Sequence, residues 1–150
     1  LTETMSLQGS CFMISKENYF KWNVCDESFG SWGSQGIEVS FKTHMNGGKV
    51  IVDHNTYYAH MFRTQGGDFG FHYPLSGRQV ENAKVCARKL FYEQWPGRVH
   101  TLSWLLEKFW PVKGWTEEQL KEVKSKEPIN YVQEITTDKL ETTIKVEKIS

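Results

Sequence analysis

The chain has 150 residues and a mass of 17.5 kDa, enough to bury the core of one domain without disulfide or metal staples. Its 18 basic and 18 acidic residues cancel, which removes the positive footprint of a protein that binds nucleic acid by neutralising phosphates. No apolar run approaches the roughly 20 residues of a membrane span, and the N-terminus has no basic-then-apolar signal, so a soluble piece without nucleic-acid partners is expected.

In chain order, Gly9 to Ile14 reads as a strand, and Ser15 as the N-cap of a short helix through Tyr19 to Trp22. Asp26 to Gly36 mixes acids, serines and glycines with Phe29 and Trp32, which suits a site-lining loop better than regular structure. A helix is predicted from about Ile37 to Asn46, with Ile37, Phe41 and Met45 recurring at intervals of four and Gly47-Gly48 ending it. Lys49 to Val52 is a short β-branched strand, and Thr56 to Phe62 a second extended segment after the turn at Asp53-His54-Asn55. Thr64 to Gly70 is a glycine-punctuated loop. Ser76 can cap a helix from about Arg78 to Trp95 that places Val80, Ala83, Ala87, Leu90 and Phe91 on one face and stops at Pro96-Gly97. A further helix spans Leu102 to Trp110, and Thr116 with Gln119 offers a capping box for a charged helix to about Lys126. The residues from Tyr131 on are polar and β-prone without a hydrophobic face, as in a tail or linker.

Cys11, Cys25 and Cys86 form no C-x-x-C pair and cannot all be bridged within one chain, so buried thiols in a reducing, cytoplasmic setting are expected. Aromatic residues make up 14% of the chain, with six tryptophans. They fit either a ring-rich core or a site that stacks on sugar faces and bases. The same two readings apply to Tyr92 to Trp115, where four tryptophans mark either a sugar platform or the packing face of the terminal helices. His44, His54, His72 and His100 share no ligand spacing and are left as surface or packing residues. His60 followed three residues later by Arg63 is different, because imidazole is the commonest side-chain metal ligand and a guanidinium fork can pair with a phosphate.

The order GSCFMISKENYF, DESFGSWGSQGIEVSFKTHMNGGKV and YYAHMFR resembles the C-terminal half of GT-A-fold glycosyltransferases, similar to the polypeptide N-acetylgalactosaminyltransferases and related bacterial and phage enzymes. The resemblance covers about residues 5 to 95. It implies an α/β architecture with a short mixed sheet and packed helices, divided as an acceptor-side half over 1–98, a helical extension over 99–130 and a tail over 131–150. The implied activity is transfer of a hexose or N-acetylhexosamine from a nucleotide sugar, such as a UDP-sugar, to an acceptor hydroxyl on a glycan or protein. His60 corresponds to the histidine of a divalent Mn²⁺ or Mg²⁺ site, Arg63 to the arginine facing the diphosphate, Trp32 to the loop tryptophan near the donor sugar, and Glu38 to the second acid of the W-G-x-E-x-x-E loop-helix. Thr64 to Gly70 corresponds to the loop that closes over the nucleotide sugar.

Two departures qualify what the resemblance implies. Gln35 stands where the first acid is usual, and Gly36 where inverting members place a base aspartate, so a base would have to be Glu38, Glu27 or Asp26. Asp26, Asp53, Asp68 and Asp138 form no D-x-D, so the expected partner is a nucleotide-binding N-terminal half of the same enzyme, without which the chain is expected to be inactive. Self-association through the face left for that half is expected too. The rival reading is a non-catalytic module that binds a glycan or a protein.

Overall fold

The computed structural model describes residues 1–30, 33–63, 70, 76–92 and 98–127. Helix starts follow local chemistry. The Ser15 hydroxyl accepts from the Asn18 amide and opens α1 (Lys16–Lys21), as predicted. Thr101 caps α4 (Leu102–Lys108) in the same way through the Trp104 amide. Thr116 and Gln119 form the reciprocal box that opens α5 (Glu117–Lys126). α3 (Gly77–Tyr92) follows the predicted apolar face, burying Ala83, Ala87 and Phe91. The predicted stop at Pro96-Gly97, the tail from Tyr131 and most of the loop from Thr64 to Gly70 lie outside the described residues.

α2 (Gln35–Met45) begins two residues ahead of the predicted Ile37. Its amphipathic reading also needs revision. Ile37 is exposed, whereas Glu38, Ser40, Lys42, Thr43 and His44 are buried. The helix is wrapped by neighbours on its polar side, and each buried polar group has to find a partner there.

The sheet is smaller than the mixed one expected. Among the described residues β1 (Thr2–Glu3) and β2 (Ile51–Val52) pair antiparallel, with Thr2 opposite Val52 and Glu3 opposite Ile51. The segments 9–14 and 56–62 form no ladder. The reason lies in how the N-terminal segment is held. The Leu7 amide donates to Ser40 Oγ at 2.9 Å, and that hydroxyl donates onward to the Gly36 carbonyl at 2.6 Å. Residues 7–9 are thus seated on the start of α2, the Leu7 amide bonded to a helix side chain and Gly9 packed directly against Gln35 and Gly36.

The core joins the 3-10 turn Glu27–Phe29 to four helices. Phe29, Met45, Ala87, Phe91, Leu102, Leu106 and Val123 form its buried cluster. Phe41 meets Phe91 edge-on, with ring centroids 4.9 Å apart. Of the terminal tryptophans, Trp115 packs against this cluster and Trp104 stacks on His100 at 3.8 Å. The cysteines are free, as expected, but none is fully buried: Cys11 is exposed, Cys25 is half-buried in the turn before the acidic loop, and Cys86 is half-buried on a flank of α3 against the edge of the core. No helix among the described residues is long and apolar enough to cross a membrane.

Candidate functional site

The site grows from a strained turn in front of an acidic loop. Asn23 and Cys25 have φ of 47° and 61°, left-handed conformations that cost a non-glycine residue of the order of 1 kcal/mol each. Between them Val24 is buried and anchors the turn. The turn sends its polar groups inward to α2. Lys42 Nζ donates to the Asn23 carbonyl at 2.5 Å and to Glu38 Oε1 at 2.8 Å, and it lies 3.8 Å from Asp26 Oδ2. Glu38 Oε1 also accepts the Asp26 amide at 2.9 Å. Asp26 in turn caps the 3-10 turn, accepting from the Ser28 amide at 2.9 Å and from Asn23 Nδ2 at 2.9 Å.

Burial alone would raise the Asp26 carboxyl, but the hydrogen bonds from Ser28 and the Lys42 charge outweigh it and hold it below the ordinary range. Asp26 is therefore a carboxylate at neutral pH. Glu27 is exposed, and its carboxylate makes no hydrogen bond or ion pair with a described residue. The neighbouring Tyr19 hydroxyl is raised, first by the Cys25 sulfur and more weakly by Glu38 and Glu27.

These groups open onto one cavity of about 810 Å³. Its wall gathers Asp26, Glu27, Gln35, Glu38, His60 and Arg63, residues from well-separated parts of the chain. Trp32 lies outside the described residues. The floor is backbone. A Cβ on Gly36 would sit 2.2 Å from the Leu7 carbonyl oxygen, so this position admits no side chain, least of all a base aspartate. Gln35 Nε2 donates to Cys25 Sγ at 3.2 Å and braces the opposite side. His60 and Arg63 are exposed at the rim. The His60 ring meets Phe62 edge-on at 4.5 Å, and Arg63 Nη1 reaches the Gly70 carbonyl at 3.4 Å.

One wall residue, Lys84, and one residue behind the wall, Lys42, escape a reading by motif. Lys84 of α3, 3.4 Å from Glu81, adds a second cation to the wall that holds Arg63, and Lys42 organises the acids from within α2. The first has no sequence signal, because helix and loop meet only in the fold. The second has one: Glu38 and Lys42 are four residues apart and share a helix face. A divalent cation finds no ready site, since no three His, Cys, Asp or Glu side chains cluster in ligand geometry among the described residues.

Comparison with known proteins finds local similarity. Over 58 residues the chain is 33% identical to a candidate polypeptide N-acetylgalactosaminyltransferase 9 of Drosophila melanogaster. It is also 33% identical over 58 residues to polypeptide N-acetylgalactosaminyltransferase 5 of Caenorhabditis elegans. Each match takes in 39% of this chain and 9% of the relative. No family model matches, and no solved structure matches. The chain carries a glycosyltransferase-like region. It spans about a tenth of the length of these relatives.

Proposed function

We propose that the cavity is the donor and acceptor pocket of a nucleotide-sugar-dependent glycosyltransferase of GT-A type, moving a hexose or N-acetylhexosamine to an acceptor hydroxyl. The observation that carries this reading is the convergence of three acids, an amide, an imidazole and two cations on one cavity, in a chain with local similarity to N-acetylgalactosaminyltransferases. UDP-N-acetylgalactosamine is accordingly the first donor to test. In the transfer, the acceptor oxygen bonds to the anomeric carbon as the bond from that carbon to the diphosphate breaks. Arg63, with Lys84 beside it, neutralises the leaving diphosphate. Gln35 contacts the sugar, and the part given to Trp32, outside the described residues, rests on the resemblance alone.

Among the three acids, Glu38 is committed to Lys42, and Asp26 to the Ser28 and Asn23 donors. Glu27, exposed on the same wall, is the carboxylate left to receive the acceptor proton if the transfer inverts. Mn²⁺ or Mg²⁺ would take one ligand from His60 and needs its carboxylates from outside the described residues, so no step is assigned to it. A nucleotide-binding half of the same enzyme is the proposed source and the proposed partner of the 1–98 segment, with 99–130 as its helical extension. The exposed Tyr57, Met61 and Phe62 support such docking, or docking of a second copy.

A non-catalytic glycan- or protein-binding module is the second reading. The engagement of Glu38 by a buried lysine favours it, because that acid is the one the motif would place at the reacting centre. Titration of the ¹⁵N-labelled chain with UDP-N-acetylgalactosamine, with and without Mn²⁺, separates the two. The glycosyltransferase reading expects amide shifts at Gln35, Gly36 and Arg63 and weaker binding of Arg63→Ala by about tenfold, with an unchanged melting temperature because Arg63 is exposed. Shifts with free glycans that ignore the nucleotide support the module. Absence of any shift at millimolar nucleotide sugar when the proposed nucleotide-binding half is supplied refutes the donor pocket.

A further inference from the structure

The Lys42 ammonium is almost wholly inaccessible, with 1% of its side chain exposed, yet it does not reach the cavity as a ligand group. Burying a lysine charge is costly unless its surroundings compensate it. Among the partners in the described residues are three that otherwise belong to different elements: the Asn23 carbonyl of the strained turn, the Asp26 carboxylate of the acidic loop, and the Glu38 carboxylate one turn away on α2. The Phe29 ring closes the fourth side, 5.7 Å from the ammonium. Glu38 then passes the constraint back, since the oxygen that binds Lys42 also accepts the Asp26 amide.

We infer that Lys42 is the positioning residue of the cavity: it clamps the 23–29 turn to α2 and so fixes where Asp26 and Glu27 present their carboxylates. Without it, the two acids and the carbonyl turned toward one another keep only neutral donors, from Asn23, Ser28 and the Asp26 amide, among the described residues. The strained conformations at Asn23 and Cys25 would relax, and the acidic wall would move with them. Glu38, in this arrangement, is the counter-ion of the clamp.

The inference rests on the glycosyltransferase reading only for its effect on nucleotide-sugar binding; the clamp has a readout of its own. In the wild-type chain, ¹⁵N spectra of lysine side chains should show a slowly exchanging Lys42 ammonium correlated across its hydrogen bond with the Glu38 carboxyl carbon. A Lys42 ammonium that exchanges like the exposed lysines overturns the clamp, and this measurement needs no variant. Lys42→Met should raise the titration of the Asp26 carboxyl and release its amide to fast exchange, with core amides of α4 still protected. Lys42→Arg, which keeps the charge, should hold Asp26 low. If Lys42→Met does not fold, the wild-type ammonium and Lys42→Arg decide the matter. An Asp26 carboxyl that titrates identically in wild type and folded Lys42→Met, or that rises in Lys42→Arg, overturns the inference. If Asp26 responds but UDP-N-acetylgalactosamine binding is unchanged, the clamp stands and the cavity reading fails. Weaker binding by Lys42→Met, by tenfold or more and restored in Lys42→Arg, supports both.

Discussion

Replacing Gly36 with alanine tests the seat on which the cavity floor depends. The added Cβ would lie 2.2 Å from the Leu7 carbonyl oxygen and 3.0 Å from the Gly9 amide nitrogen. Both are backbone atoms, so no side-chain rotation relieves the overlap, and the 7–9 segment must lift off α2 by about 1 Å to restore ordinary contact. Lifting it stretches the Leu7 amide away from Ser40 Oγ, now at 2.9 Å. Overpacking of this kind costs about 1–3 kcal/mol, and a lost hydrogen bond adds about 1 kcal/mol. The intrinsic preference of a helix for alanine returns up to about 1 kcal/mol. The net expectation is a loss of about 2 kcal/mol, or a fall of roughly 4–8 °C in melting temperature for a chain of this size. Gly77→Ala is the matched control. It also lies in a helical first turn, but its Cβ would meet nothing within 4 Å, so it should be neutral or slightly stabilising. Calorimetry of the two variants side by side measures the difference directly. Equal melting temperatures would mean that the N-terminal segment does not rest on α2, and the cavity would lose its floor.

His44 gives a pH dependence. Its ring is fully buried, and burial depresses its pKa, opposed by the Thr4 carbonyl that accepts from Nε2, aided by Lys108 and opposed again by Glu3. The native chain thus holds His44 neutral where the unfolded chain takes up a proton. Stability from this group is complete above the ordinary value near 6.5 and is lost as pH falls below it, so urea midpoints should drop from pH 7.5 to 5.5 in wild type and stay flat over that range in His44→Gln. A wild-type midpoint that does not change with pH would refute the depressed imidazole. Thr116→Ala removes one half of the capping box of α5 and should cost about 1 kcal/mol by urea denaturation; Thr116→Asn should recover most of it, and equal midpoints for Ala and Asn would show that the cap carries no energy.

Local chemistry made several elements legible. Side-chain capping acts within one turn of backbone, so Ser15, and Thr116 with Gln119, could be placed without knowing the fold. The apolar face of α3 is equally local, since Ala83, Ala87 and Phe91 recur at helical spacing. The site residues Asp26, Glu27, Gln35, Glu38, His60 and Arg63 could be singled out by residue type and order, but the cavity they share depends on chain segments meeting in space. What the sequence did not contain was every decision made by a distant neighbour. Thr2–Glu3 is a strand only because Ile51–Val52 lies beside it, and Gly9 to Ile14 is not one because Ser40 and the Gly36 approach hold the preceding residues on a helix. α2 was misread as amphipathic because its polar face is buried by the turn at 23–29, whose carbonyl and carboxylate compensate a lysine that sequence alone would leave in water. Caps and periodicity act within one or two turns of backbone, whereas strand pairing, close glycine approach and charge compensation depend on which parts of the chain come together, and that is settled only when the whole chain packs.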